Sequence, residues 1–360
     1  MNTVYELYRA EQLPVFQNRM FSSLSAAQGC DKRDVVLVRD LKTGLIYNQA
    51  FQPELMHYDA DYQNEQAVSS VFRRHLEKIT EIIREYFDGH SLIEVGCGKG
   101  YFLEHLHASG FKITGLDPTY EGNNTLVVKK YFTSELGLSA DGIILRHVLE
   151  HVSNPVEFLS RIRDANGGAG KIYIEVPCFD WICKQHAWFD IFYEHVNYFR
   201  SSDFLRMFSS VHVGHTFGGQ YLYVVAELAT LRTPCIDSID DFTFPSKFLS
   251  TVNRYATLIQ SLDERTRRQI AVWGGASKGV IFSLYMQRAG AKIDFVVDIN
   301  PAKQGKYLPA TGLQVFAPEQ VLSNLEPGST IFVMNSNYLS EIRQMTLNQY
   351  NYLTVDHENV

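Results

Sequence analysis

The chain has no excess of positive charge. Its 33 Lys and Arg stand against 40 Asp and Glu, a formal net charge of −7. Nucleic-acid binders normally show a basic stripe, so this balance argues against a nucleic-acid partner. There is no run of 18 apolar residues, which argues against a membrane span, and no basic-then-apolar leader opens the sequence. A cytoplasmic protein is therefore expected. Cysteine is sparse: Cys30, Cys97, Cys178, Cys183 and Cys235 are odd in number and scattered. They read as free thiols in a reducing compartment, not as a disulfide frame. Before Cys97 there is only Cys30, which with His57 gives at most two metal ligands. No structural zinc is expected in residues 1–66, and no metal site elsewhere. What remains is an ordinary globular composition, 45% apolar and 20% charged, over 360 residues. That length is enough for two or three domains with a sizeable core.

One stretch organises the rest. In SLIEVGCGKG, residues 91–100, a short apolar run ends in Gly96-Cys97-Gly98-Lys99-Gly100, and a helix-forming run follows at once. Strand, glycine turn and helix bring backbone N–H groups close to a bound nucleotide. Asp117 closes the next strand-like run about 20 residues later, where an acid accepts hydrogen bonds from ribose hydroxyls. The spacing is G-x-G-x-G with Glu94 two residues ahead. This tighter turn resembles the first motif of class I S-adenosylmethionine (SAM) methyltransferases. Glu94, Gly96, Gly98, Gly100, Asp117 and, further on, His147 are the expected cofactor-binding residues.

Along the chain, residues 35–38 and 45–47 read as a hairpin across Lys42-Thr43-Gly44. Apolar residues at spacings of three and four predict a helix over 65–87, stopped by Asp88-Gly89. Residues 91–227 alternate strands and helices and end in an antiparallel pair around Gly218-Gly219. A linker follows, then a helix over 248–268. A second strand-glycine-helix unit begins at 269, with Gly274-Gly275-Ala276-Ser277-Lys278-Gly279 as its turn. The expected organisation is a small N-terminal domain (1–66), a SAM domain (67–230), a linker and helix (231–265) and a C-terminal Rossmann-like domain (266–360). The second turn is either a phosphate cradle with Lys278 adding charge, or a structural turn. Lys278 and Asn335 are candidate substrate-binding residues. So are Tyr58 and Tyr62, which read equally well as domain-edge packing or as a lid over the donor site.

Two segments carry titratable side chains in suggestive places. RHVLEH, residues 146–151, follows a central strand and puts His151 one turn into the connection. IFYEHVNYF, residues 191–199, sets Glu194 and His195 side by side among aromatic residues. An apolar wall moves both pKa values toward neutrality, which suits a general base. The bland alternative is an aromatic plug with a buried ion pair.

EVGCGKG, RHVLEH, IFYEHVNYF, VWGGASKG and VVDINPAKQGKYLPATG together resemble the nucleotide-sugar C-methyltransferase family, over roughly residues 58–338. The resemblance implies an α/β chain: a class I SAM-methyltransferase Rossmann-like sheet, a small N-terminal domain and a second, C-terminal Rossmann-like domain. It implies SAM as cofactor and a nucleotide-linked keto-deoxysugar as substrate. It implies His195 as the base, with Glu194 as its orienter and Tyr193 and His151 as hydrogen-bond donors to substrate. Two departures stand out. The family's N-terminal domain usually carries two cysteine pairs around zinc. Its catalytic segment often reads Tyr-His-Glu-His, where this chain has Phe192-Tyr193-Glu194-His195. The competing readings are an O- or N-methyltransferase of another small polar metabolite, a nicotinamide dehydrogenase and a non-catalytic binding protein.

Overall fold

The computed structural model describes residues 3–57, 62–63, 65–236, 242–266 and 268–356. Tyr58 lies outside the described residues. Three sheets follow one another along the chain. The first is antiparallel: β1 (Val4–Pro14), β2 (Lys32–Asp40) and β3 (Ile46–Asn48), with α1 (Leu24–Gln28) before β2. The β2–β3 hairpin is the one expected. The 11-residue β1 was not expected, because its pairing with β2 slips twice, between Glu6 and Tyr8 and between Ala10 and Leu13. Each slip moves the apolar set to the other face and hides the period of two.

The second sheet is preceded by α2 (Ser70–Phe87) and contains β4 (Ser91–Val95), β5 (Lys112–Leu116), β6 (Val127–Val128), β7 (Gly142–Arg146), β8 (Lys171–Pro177), β9 (Val211–Thr216) and β10 (Tyr221–Glu227). Between them run α3 (Tyr101–Ala108), α4 (Pro155–Ala165), α5 (Phe179–Lys184) and α6 (Ser201–Met207). The strand order is β6-β5-β4-β7-β8-β10-β9. Five strands are parallel, β10 runs antiparallel to β8, and β9 antiparallel to β10. The helix expected over 65–87 begins later, at Ser70. There the Ser69 hydroxyl accepts from the N–H groups of Val71 and Phe72 and caps the first turn.

The third sheet is wholly parallel. After α7 (Ser250–Thr266) come β11 (Ile270–Trp273), α8 (Ser277–Arg288), β12 (Phe295–Val297), β13 (Val315–Phe316), α9 (Pro318–Leu322), β14 (Thr330–Val333), α10 (Leu339–Met345) and β15 (Asn351–Thr354). The order is β13-β12-β11-β14-β15. In the second and third sheets the order reverses beside the strand that feeds the glycine turn: β4 lies between β5 and β7, and β11 between β12 and β14. Ligands of open α/β sheets bind at such switch points, beyond the carboxyl ends of the strands.

One cluster of buried apolar side chains joins the three sheets. It runs from Tyr8, Leu13 and Leu37 through Ile143, Ile174 and Trp188 to Phe282 and Phe332. The parts therefore share a core rather than hang as beads. No described helix is long and apolar enough to cross a membrane.

Candidate active site

Both glycine turns open onto one cavity of about 400 Å³. From the second sheet it is lined by Glu94, Gly96, Gly98, Arg146, His147, Glu150, His151, His195 and Tyr221. From the third it is lined by Trp273, Gly274, Ser277, Lys278, Asp298, Asn300 and Asn335, and Tyr62 also faces it. The volume is in the range of small-molecule sites.

The first turn is shaped by its glycines. Gly96, Gly98 and Gly100 have φ of 74°, 54° and 80°. A Cβ on Gly96 would lie 2.5 Å from Val148 Cγ2, whereas a Cβ on Gly98 would meet nothing within 4 Å. Gly98 is thus bare toward the cavity. Its N–H donates to Asp117 Oδ2 at 2.9 Å, while Asp117 Oδ1 accepts from the Thr119 N–H and hydroxyl. Asp117 and Gly100 brace the turn without lining the cavity. Glu94 is 3% exposed, and its Oε2 has no hydrogen-bond partner. Burial pushes its carboxyl up to about 8. Arg146 opposes that shift and Asp117 adds to it.

Beneath the cavity lies a charged knot that the sequence reading did not single out. Glu175, on β8, is fully buried and accepts from Arg146 at 3.0 Å and Tyr173 at 3.0 Å; His147 Nε2 lies 3.0 Å away and His75 Nε2 3.4 Å. Burial disfavours its charge, but Arg146 and the two imidazoles outweigh that and hold its carboxyl well below the usual range. Burial also opposes charge on His147. Its partners Glu150 and Glu175 win and raise it to about 9, so it is cationic at neutral pH. His147 has φ of 51°, a left-handed conformation that a non-glycine residue adopts at a cost. That backbone aims its ring between the two carboxylates.

Two loops are stapled together to build one wall of the cavity. The Val196 and Asn197 N–H groups donate to Glu150 O at 2.8 and 3.0 Å. The Asn197 amide donates to the carbonyls of Leu149 and Val152. His151 Nδ1 sits 2.8 Å from the Glu194 carbonyl, which can only accept. That bond assigns a proton to Nδ1. His151 and His195 meet edge to face, with ring centroids 4.9 Å apart. His195 is 9% exposed and packs on Phe192 at 4.1 Å, and among the described residues its imidazole has no hydrogen-bond partner. Burial, then His151 and His147, holds it well below the ordinary histidine range, so it is neutral with a lone pair to offer.

Several expected site residues are placed differently. Glu194 does not pair with His195. Its Oε1 accepts from the N–H groups of Gln17 and Asn18, and its Oε2 from Tyr62 at 2.6 Å. Tyr193 and Glu194 form a turn, closed by the His195 N–H donating to Phe192 O at 3.3 Å, and the turn sends the two side chains to different partners. Tyr193 is also turned away, its hydroxyl accepting from Gln52 N at 2.8 Å and donating to Ala50 O at 3.4 Å. Lys278 lies above the Trp181 ring and reaches Asp190 at 3.1 Å and Gln220 at 2.8 Å. Its charge is spent between the second and third sheets rather than at its own turn. Asn335 exchanges two amide hydrogen bonds with Gln220. At the second turn Gly275 N–H donates to Asp298 Oδ2 at 2.9 Å, the same bracing as Gly98 and Asp117. Lys303 lies 3.2 Å from that same Asp298 oxygen. Glu150, Asp190 and Gln220 were missed. Glu150 was within reach, since it precedes His151 in a segment already singled out.

Residues 66–211 match the model of a methyltransferase domain, and residues 237–351 that of a C-methyltransferase C-terminal domain. The chain is similar to the C-methyltransferase NovU of Streptomyces niveus, 23% identical over 312 residues, or 75% of this chain and 72% of that one. Among solved structures, the plantazolicin methyltransferase BpumL in complex with a triazolic desmethylPZN analog and SAH is 16% identical. The match covers 46% of this chain and 86% of that one, with a TM-score of 0.36. A SAM-dependent methyltransferase from Archaeoglobus fulgidus is 19% identical, covering 44% and 100%, with a TM-score of 0.33. The chain is a SAM-dependent methyltransferase that couples a methyltransferase domain to a C-methyltransferase C-terminal domain.

Proposed function

We propose that this enzyme methylates a carbon next to a carbonyl in a nucleotide-linked keto-deoxysugar, and that His195 removes the carbon-bound proton. The observation that carries the reading is the shared cavity. Two glycine turns of nucleotide-binding type, from two different sheets, face the same space as an unpartnered neutral histidine. One turn suffices for the methyl donor, and the other leaves a place for a nucleotide on the acceptor. The sequence resemblance supplies the sugar class.

Three features of the first turn fit SAM. Gly98 is bare toward the cavity, Glu94 keeps a buried oxygen without a partner, and the N–H groups at the start of α3 point to the same end. Glu94, Gly96 and Gly98 would hold the donor, with Asp117 fixing the turn. When bound, SAM supplies an electrophilic methyl group. The chain's own part is to make the nucleophile. A C–H beside a carbonyl is acidic enough for a positioned base, and neutral His195 presents a lone pair to it. Glu194 ties the segment to residues 17–18 and Tyr62 and acts as a positioning residue. His151, held by the Glu194 carbonyl, fixes the wall on which His195 stands. Fixed geometry supplies the remainder.

The test uses SAM with a labelled methyl carbon and a panel of nucleotide-linked keto sugars. Product NMR is expected to show the label on carbon. His195→Ala is expected to lower turnover by about 10²–10⁴-fold with SAM affinity unchanged, and to abolish solvent deuterium exchange into the substrate. A label on oxygen or nitrogen would sink the carbon-nucleophile reading.

A further inference from the structure

We propose that Glu150, His151 and His195 form a site for one divalent transition-metal ion of the zinc class, and that filling it blocks methyl transfer. The three side chains come from two loops, and one ligand atom from each lies within 4.8 Å of the others. Two imidazoles and a carboxylate on one side of a cavity leave further coordination positions open, a donor set that suits divalent iron, cobalt and zinc. Ligand atoms on a tetrahedral ion at bonds of about 2.0–2.1 Å stand roughly 3.4 Å apart. Side-chain rotation of about an ångström closes the difference.

Two further observations point to an ion. His195 is nine-tenths buried, faces the cavity and has no side-chain hydrogen bond to any described residue. Glu150 is 1% exposed; its Oε1 is taken by His147 at 3.3 Å, and its Oε2 has no partner. Buried polar atoms without partners are few in native proteins and call for a ligand or water. The surroundings are those of a metal ligand shell. His151 donates its other ring nitrogen to the Glu194 carbonyl, which fixes the metal-binding tautomer, and Glu150 is itself held by His147.

The blocking claim rests on the reading of His195 as the base; the binding claim does not. One lone pair cannot serve a metal ion and take a proton at once. The full-length chain, stripped with a chelator, is titrated with Co²⁺ while visible absorption is recorded. One ion per chain with ligand-field bands is expected, displaced by Zn²⁺. Glu150→Gln and His195→Ala are each expected to weaken Co²⁺ binding at least about tenfold. Unchanged SAM affinity in each variant shows that it is folded. Absence of binding up to about millimolar Co²⁺, or binding unchanged in both variants, overturns the site. Zn²⁺ is expected to inhibit turnover, with recovery on adding chelator. Zinc that binds here yet leaves turnover intact overturns the blocking claim and, with it, the assignment of His195 as base.

Discussion

Glu94 and Glu175 are both buried carboxylates within reach of Arg146, yet they fall on opposite sides of neutrality. The difference lies in partners. Glu175 has four polar neighbours, two of them cationic, and stays ionised. Glu94 is buried without that company, and its carboxyl is pushed up to about 8. A carboxyl raised in the folded state binds its proton more tightly there than in the unfolded chain. Its contribution to stability is complete below the ordinary glutamate value, falls as pH rises toward about 8, and is lost above it. Glu94→Gln removes that term. Without SAM, urea unfolding is expected to show the variant gaining on wild type from near pH 5 to near pH 8, by on the order of a few kcal/mol. A constant difference across that window would show that Glu94 titrates normally. The same variant is expected to bind SAM more weakly, since the orphaned oxygen is the feature offered to the donor.

At the scale of the element, what is local was legible and what is long-range was not. The two strand-glycine-helix units are written in consecutive residues, and both stand where the sequence put them. The start of α2 was misplaced because part of its cap comes from far away: Glu341, on α10, accepts from Ser69 Oγ and from the N–H and hydroxyl of Ser70. Glu194 and His195 are adjacent in sequence, yet the Glu194 carboxylate bonds to Gln17, Asn18 and Tyr62 and not to His195. The segment's direction is set by Gln17, Asn18 and Tyr62, which no local pattern announces. The glycines themselves divide in two. A Cβ on Gly279 would lie 1.8 Å from the Gly274 carbonyl oxygen, so the first turn of α8 closes on β11 only without one. A Cβ on Gly98 would meet only open space. Gly279→Ala is therefore expected to cost about 1–3 kcal/mol or more in thermal or urea unfolding. Gly98→Ala is expected to cost only about 1 kcal/mol, from its left-handed backbone, while losing SAM affinity by calorimetry. Equal stability losses in the two would mean that both turns are held by packing alone.

In the whole molecule, the site exists because the second and third sheets are held with their glycine turns toward one cavity. Buried polar groups do this at the cavity wall: Lys278 with Asp190 and Gln220, Gln220 with Asn335 and Asp356, and Asp356 with Ser336. The sequence exposed the two glycine turns but not this joint, since its members lie up to 166 positions apart in the chain, from Asp190 to Asp356. Lys278 follows a glycine turn that reads as a phosphate cradle or as a structural turn; the fold turns its charge toward Asp190. The two roles separate experimentally. As a tie, Lys278→Met leaves the mostly buried Asp190 carboxylate without its cation, a change that costs about 1–3 kcal/mol. Asp190→Asn made in that background is expected to restore part of the loss, so the double-mutant cycle gives a coupling energy of about 0.5–3 kcal/mol. As a phosphate ligand, Lys278→Met would instead raise KM for the proposed nucleotide-linked substrate, leave the unfolding midpoint alone and show no coupling to Asp190. The ion pair at 3.1 Å favours the first outcome. A misaligned joint also pulls the two turns apart, so the unfolding penalty is expected to come with a lower kcat, while SAM affinity, set within the second sheet, stays near wild type.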